Sequence, residues 1–360
     1  ELERRGGGDE LLPGGYRAMA SGGTTGRRGV FVYGREDWRR VLAGVLRWTG
    51  DFMGVRPRLP RRRKLATVVA DVPLHMTSRM SRSIDVGAHR MLRLDARTPV
   101  DRLVPALNAF QPEAISAYAS VAALLADEQL AGRLRIAPRV VSSSSEVLTP
   151  DMRRRMIEAW GQVPFDGYAS TETGMLATDC ERHRGLHVLS DLVLLEVVDD
   201  EGRHVPPGTP GTRVFVTNLI NRTQPLIRME LSDLVTLSPE RCPCGRPYPL
   251  IASIDGRADD VLRLPGRDGR TVAVHPLTLR SPLAGLPELR QYRIVHDAAG
   301  LTVEAVLAPG HGDAPREIGR RLSAALADRG VTGTAVAVTP VEAIERHPGS
   351  GKAKLVESRI

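Results

Sequence analysis

Two rhythms run through the apolar residues of this chain, and together they set its architecture. Over the first half, short runs at 16–20, 114–118, 139–142 and 163–167 that look like strands alternate with helix-spaced stretches at 36–48, 100–109, 121–126 and 150–160. Strands that alternate with helices call for a sheet covered by helices, an α/β arrangement. Beyond residue 185 the rhythm changes. The apolar segments 192–198 and 212–219 are separated by Glu201-Gly202 and Pro206-Pro207-Gly208, which predicts an appended β-subdomain over about 186–250. From 258 onward the pattern is strand (292–296), turn, strand (301–307), helix (314–329) and strand (335–340). The expected fold class is therefore α/β: a large N-terminal domain over 16–257 that carries the β-subdomain, and a small α+β C-terminal domain over 258–360. Residues 1–15, with Gly6-Gly7-Gly8, are expected to be a flexible lead.

A chain of 360 residues exceeds the usual single-domain size, in keeping with this division. No run approaches the roughly 18 apolar residues that cross a bilayer, and the opening Glu1-Leu2-Glu3-Arg4-Arg5 is no secretory signal, so the expectation is a cytoplasmic protein without a membrane partner. The formal charge of +8 does not form the basic stripe of a nucleic-acid binder. Its one dense cluster, Arg58, Arg61, Arg62, Arg63 and Lys64, is expected to be a solvated loop, and no nucleic-acid partner is expected. Lysines number three, Lys64, Lys352 and Lys354, which makes the C-terminal pair conspicuous.

Two segments suggest phosphate chemistry. In Ser21-Gly22-Gly23-Thr24-Thr25-Gly26-Arg27, glycines free backbone N–H groups to close on phosphate oxygens while hydroxyls add donors. Its spacing is not that of a Walker A loop. In Tyr168-Ala169-Ser170-Thr171-Glu172-Thr173-Gly174, a hydroxyl and a carboxylate stand together at a strand end, where they could serve a phosphate and a divalent cation. A plain turn and a plain helix cap are the ordinary alternatives for these two segments.

Taken in order with Pro225-Leu226-Ile227-Arg228 leading to Asp233, Gly256-Arg257-Ala258-Asp259-Asp260, and Gly349-Ser350-Gly351-Lys352, these segments resemble the core motifs of the adenylate-forming superfamily. That superfamily holds acyl-CoA synthetases, peptide-synthetase adenylation domains and luciferases. The chain looks most like its phenylacetate-CoA ligase branch. The resemblance implies ATP-dependent activation of a carboxylic acid, with an aryl or arylacetic acid favoured, to an acyl adenylate, followed by thioester formation with coenzyme A. Ser21, Gly22, Gly23, Thr24, Thr25 and Gly26 would hold the ATP phosphates. Thr171 would touch the α-phosphate and Glu172 would bind Mg²⁺. Ser145 and Glu146 match the segment beside the adenine, Tyr168 would stack on that ring, and Asp233 and Arg257 would serve the ribose. Lys352 is the implied catalytic lysine, chosen because Gly351 precedes it, with Lys354 in reserve. Asp259 occupies the hinge position of a mobile C-terminal domain. His75, Met76, Phe165 and Met175 are candidates for the acyl pocket.

Departures from the family pattern are Arg27-Arg28 in place of Lys-Pro, Ala169 after Tyr168, and Ser232 before Asp233. Relatives also carry several dozen residues more upstream, which implies a trimmed or shortened chain. Cys180 and His183, with Cys242 and Cys244, form two short ligand pairs suited to a structural Cys₃His zinc, His187 being the other choice of imidazole. Buried free thiols are the alternative. Other acceptors, an amine or a carrier-protein thiol, stay open, as do a non-catalytic nucleotide-binding role and a homodimeric assembly.

Overall fold

The computed structural model describes residues 11–21, 29–55, 62–85, 87, 89–348 and 350–360, with the side chains of Asp259 and Asp268 left aside. The chain divides into two compact units. The larger comprises 1–231, 235–253 and 348–352, and the smaller 232–234, 254–347 and 353–360.

The backbone of the larger unit is a nine-stranded mixed sheet in the spatial order Asp233–Leu237, Leu250–Arg257, Leu186–Val188, Gly174–Thr178, Phe165–Ser170, Val140–Ser144, Ala114–Tyr118, Lys64–Val69 and Arg90–Asp95. The last five are mutually parallel. Numbered along the chain, those five lie in the order 2-1-3-4-5, with the reversal of direction between Lys64–Val69 and Ala114–Tyr118. Doubly wound sheets of this order bind ligands outside the carboxyl ends of their strands, at that switch point.

Helices Val100–Phe110, Ala119–Leu130 and Pro150–Trp160 follow the successive parallel strands. Their apolar faces join the sheet in one core that includes Val68, Leu107, Ile115, Leu125, Val141 and Met156, each at most 2% exposed. Burial on both faces explains why these strands read as short apolar runs rather than as alternating ones. Thr149 caps the last helix through its hydroxyl, 3.3 Å from the Met152 amide, with Pro150 at the first helical position.

No element was expected between 49 and 99, yet the structure holds strand Lys64–Val69, helix Met76–Ser83 and strand Arg90–Asp95 there. The last, Arg-Met-Leu-Arg-Leu-Asp, is an edge strand that charged residues protect, so its apolar signal is weak. Lys64, expected in a solvated loop, instead opens the neighbouring strand and lies 5.8 Å from the Phe110 ring. Arg58 and Arg61 fall outside the described residues.

The strands expected after residue 185 form a separate antiparallel sheet, Val193–Val198, Arg213–Asn218 and Met229–Leu231. A hairpin, Arg17–Ala20 with Val30–Tyr33, leads into helix Arg35–Arg47. That helix runs on into a π-helical turn, Trp48–Phe52, whose Trp48 ring lies against Gly167 where a Cβ would come within 2.8 Å. In the smaller unit, strands Val336–Pro340, Gly300–Leu307, Leu289–Asp297 and Val356–Ser358 form a four-stranded sheet. Helix Ala314–Asp328 packs Ile318, Leu322 and Leu326 into a core with Ile294, Val303 and Leu264.

Candidate active site and metal centre

The carboxyl ends of the parallel strands carry several of the expected site residues of the larger unit. Ser145 and Glu146 follow strand Val140–Ser144, and Thr171 and Glu172 follow Phe165–Ser170. Ser145 takes a left-handed φ of 69°, an uncommon conformation for a residue with a Cβ. The Glu146 carboxylate accepts a 2.8 Å hydrogen bond from the Ser120 amide, in the first turn of helix Ala119–Leu130, where the helix dipole favours an anion.

The turn that carries Thr171 and Glu172 is held through its backbone. The Tyr33 hydroxyl lies 3.0 Å from the Thr171 carbonyl and 2.9 Å from that of Glu172, which also accepts from the Asn218 amide at 3.1 Å. Burial first, then the charges of Glu172 and Asp37, push the Tyr33 phenol above its ordinary range, so it stays a neutral donor. Ser170 and Thr173 bridge the turn, their hydroxyls 3.0 Å apart. Gly174 closes it at a φ of 78° that favours glycine.

At the switch point, the Tyr118 hydroxyl accepts from the Ala70 amide at 3.1 Å, tying together the ends of strands Lys64–Val69 and Ala114–Tyr118. The segment 348–352 belongs by contact to this larger unit. The Lys352 ammonium lies 5.8 Å from the centre of the Tyr118 ring. Gly351 has a φ of 67°, and a Cβ there would meet Arg97 at 3.1 Å and Ala70 at 3.5 Å. A glycine before the lysine thus has a local reason. Lys354, the reserve, makes a 2.8 Å ion pair with Asp260 inside the smaller unit.

Gly22, Gly23, Thr24, Thr25 and Gly26 lie outside the described residues, but Ser21 is in place. Its amide donates to the Gly29 carbonyl and its hydroxyl accepts from the Gly29 amide, both at 2.9 Å, closing the base of the loop. Tyr168 is a half-buried residue of strand Phe165–Ser170. In the smaller unit, the Ala258 amide donates to the Ser232 carbonyl, which brings Asp233 and Arg257, the two expected ribose residues, onto neighbouring segments. Asp259 lies in the 3-10 turn Ala258–Asp260.

The acyl-pocket candidates divide. Met76 packs with Met19, Phe31, Tyr33 and Trp38, and His75 stands just before it at the start of helix Met76–Ser83. Met175 instead packs with Trp48, Phe52, Cys180 and Cys242, and the Phe165 ring lies 4.9 Å from that of His183.

Cys180, Cys242 and Cys244 converge, but their fourth companion is His187, not His183, with all four ligand atoms within 4.8 Å of one another. Strand Leu186–Val188 turns His187 inward, where it is 0% exposed, whereas His183 sits in a left-handed turn with Nδ1 2.6 Å from Asp179. Zinc bonds of about 2.3 Å to sulfur and about 2.0–2.1 Å to nitrogen set tetrahedral ligand atoms roughly 3.5–3.8 Å apart. Here Cys180 and Cys242 sulfurs are 3.7 Å apart, and the Cys244 sulfur is 3.5 Å from His187 Nε2. The donor set therefore fits a structural zinc. Burial, and then the charge of Arg246, hold His187 below its ordinary value and so in the neutral form that binds metal. Without a metal, burial pushes the Cys180 thiol up to about 12. Burial also opposes ionisation of Cys244, but hydrogen bonds from Arg246 and the neighbouring thiols hold it below its ordinary value. The Arg246 guanidinium bonds Glu181 and the Asp51 carbonyl, fixing the knuckle to its surroundings.

Tyr33, Asn218 and Tyr118, which contact the expected site residues or the strand ends beside them, were not revealed by motif spacing. Tyr118 carried one signal, its position at the carboxyl end of a strand that was expected.

Fold and motif order together define an adenylate-forming architecture, and comparison with known proteins bears this out. No family model matches the chain. Over 308 residues, 81% of its length, the chain is 31% identical to phenylacetate-coenzyme A ligase of Thermus thermophilus, and the match spans 64% of that relative. The fold matches a crystal structure of 2-hydroxyisobutyryl-CoA ligase in the postadenylation state in complex with R3-HIB-AMP at a TM-score of 0.78, with 24% identity, over 98% of this chain and 74% of that one. It also matches an anthranilate CoA ligase in complex with anthranoyl-AMP at a TM-score of 0.68, with 17% identity, over 93% and 64% of the two chains. The chain is similar in sequence to a phenylacetate-CoA ligase, of which it spans less than two thirds, and shares the fold of these CoA ligases.

Proposed function

We propose that the chain activates a carboxylic acid, an aryl or arylacetic acid first among candidates, as its acyl adenylate at the expense of ATP, and then forms a thioester with coenzyme A. The observation that carries this reading is the convergence of Glu146, Thr171 and Lys352 on the carboxyl ends of the parallel strands beside the switch point. The acid's carboxylate oxygen attacks the α-phosphorus of ATP, the bond to the bridging oxygen breaks, and pyrophosphate leaves. Lys352 stabilises the negative charge shared by the carboxylate and α-phosphate during this displacement, and the Thr171 hydroxyl donates to the α-phosphate. Glu172 is the carboxylate for Mg²⁺, which would neutralise phosphate charge when bound. Coenzyme A's thiolate then attacks the acyl carbon and AMP leaves.

Tyr33 and Asn218 take the part of supports, holding the turn so that Thr171 and Glu172 are preorganised. Cys180, His187, Cys242 and Cys244 would hold a structural zinc, its four positions filled by protein and none left for chemistry. Among the described residues no helix is long and apolar enough to cross a membrane, and a cytoplasmic location accords with this.

Pyrophosphate release across a panel of carboxylic acids tests the proposal. The expected result is acid-dependent release, lost by at least about a hundredfold in Lys352→Ala and little changed in Lys354→Ala. AMP binding without acid-dependent release would instead indicate a nucleotide-binding homologue. Release without thioester when coenzyme A is present would point to another acceptor.

A further inference from the structure

Strand Val30–Tyr33 pairs with Arg17–Ala20 in a two-stranded sheet, so its other edge faces no strand. Side chains occupy that edge instead. The Val32 amide donates to Gln224 Oε1 at 2.7 Å, and the Val32 carbonyl accepts from Asn221 Nδ2 at 2.9 Å. Gln224 Nε2 donates to the Val30 carbonyl at 3.4 Å, and Thr223 Oγ1 accepts from the Gly34 amide at 3.1 Å. Val30, Val32 and Gly34 are alternate residues, whose backbone groups face the same edge of an antiparallel strand. The segment 221–224 therefore stands where a third strand would, its side-chain amides supplying the oxygens and N–H groups that a neighbouring backbone would offer.

The segment is fixed in turn by its own side chains. Asn218 Oδ1 accepts from the Ile220 and Asn221 amides at 3.0 and 2.9 Å, and Asn221 Oδ1 accepts from the Thr223 and Gln224 amides, both at 3.1 Å. Asp37, 4% exposed in the first turn of helix Arg35–Arg47, accepts from the Arg222 and Thr223 amides and from the Thr223 hydroxyl. Burying two asparagines and a carboxylate is costly unless they are hydrogen-bonded, and a satisfied network of this kind favours one geometry. Both ends of the segment reach the same turn. Asn218 donates to the Glu172 carbonyl, while Asn221 and Gln224 hold the strand whose last residue, Tyr33, donates to the Thr171 and Glu172 carbonyls. The contacts close a ring from Glu172 through Asn218, Asn221 and Val32 to Tyr33 and back to Glu172.

We propose that Asn221 and Gln224 are positioning residues for the adenylation half-reaction: by replacing a missing strand they fix Tyr33, and through it Thr171 and Glu172. The roles of Thr171 and Glu172 rest on the reaction proposed above. Gln224→Met keeps the length of the side chain and removes its acceptor and donor. Gln224→Glu keeps the acceptor for the Val32 amide, and its second oxygen is free to turn to solvent at this half-buried position. Acid-dependent pyrophosphate release is expected to lose at least about tenfold in kcat in Gln224→Met, with KM for the acid within about twofold, and to return to within about threefold of wild type in Gln224→Glu. A second measurement needs no substrate. Amide hydrogen exchange in peptides covering 30–33 and 171–174 is expected to quicken at least about tenfold in Gln224→Met and to recover in Gln224→Glu. Should Gln224→Met fail to fold by circular dichroism, the shorter and polar Gln224→Ser takes its place. Faster exchange confined to 30–33, unchanged kcat with lowered stability, or a glutamate variant as impaired as the methionine one overturns the proposal. If the wild type releases no pyrophosphate with any acid, the reaction reading fails, and exchange at 171–174 alone decides whether this segment holds the turn.

Discussion

Asp166 shows how one carboxyl can be held against its own chemistry. It lies in strand Phe165–Ser170, where burial pushes its pKa up to about 6 although the Ser143 hydroxyl and the Gly167 amide, each 3.0 Å away, pull it down. In the unfolded chain the group ionises near 3.8. Because the folded value is the higher one, the favourable contribution is complete below the unfolded value and is lost as pH climbs from about 4 through about 6. The loss amounts to roughly 2 kcal/mol once partial exposure is allowed for. Asp166→Asn keeps an oxygen for both donors and cannot ionise. Urea unfolding at pH 4, 5, 6 and 7 should therefore show the wild type losing about 2 kcal/mol relative to Asp166→Asn over that window, and parallel pH profiles would refute the assignment.

The turn after strand Phe165–Ser170 depends in the same way on a partner from another element. Tyr33 ends a hairpin strand 138 residues before Thr171, and its hydroxyl serves two of the turn's carbonyls. Tyr33→Phe removes that donor inside an otherwise unchanged core. The expected cost is about 1–2 kcal/mol of stability, with acid-dependent pyrophosphate release falling by about ten- to a hundredfold as Thr171 and Glu172 shift. Unchanged release with lowered stability would confine Tyr33 to packing. A contact of this kind has no sequence signature, which marks the boundary of what the residues disclose. Strands and helices between 100 and 170 were legible because each is buried on the face that its periodicity displays. Strand Arg90–Asp95 was not, since charge at a sheet edge obscures its apolar pattern, and Lys64–Val69, one strand further in, was hidden behind the basic run that opens it. The motif order singled out Glu146, Thr171 and Lys352 as expected site residues, but the strand order that sets Glu146 and Thr171 at the carboxyl ends of one parallel sheet is encoded in no local pattern. His187 was missed in favour of His183 because spacing from a cysteine says nothing about direction; the period of strand Leu186–Val188 decides which imidazole faces the thiols.

Two units with separate cores should unfold in separate transitions, and this gives the metal centre a signature in the whole chain. All four ligands belong to the larger unit, where they join the end of strand Gly174–Thr178 to a loop 62 residues later. A metal bridging them closes a long loop, and its loss also leaves three thiols and an imidazole in a partly apolar cluster with Phe52 and Leu250. Purified protein should contain one zinc per chain by atomic emission, and Cys242→Ser should contain none. For a unit of this size each kcal/mol moves the midpoint by about 2–4 °C, so the loss of a few kcal/mol on chelation should lower one calorimetric transition by roughly 10 °C. The other transition belongs to the smaller unit, whose core of Leu264, Ile294, Val303, Ile318 and Leu322 includes no ligand, and it should stay where it was. Zinc-free protein with both transitions unmoved would mean that the thiols pack as ordinary apolar side chains. A chelator that lowers both transitions equally would mean that the two cores do not melt independently, and the metal's effect would then extend to the whole fold.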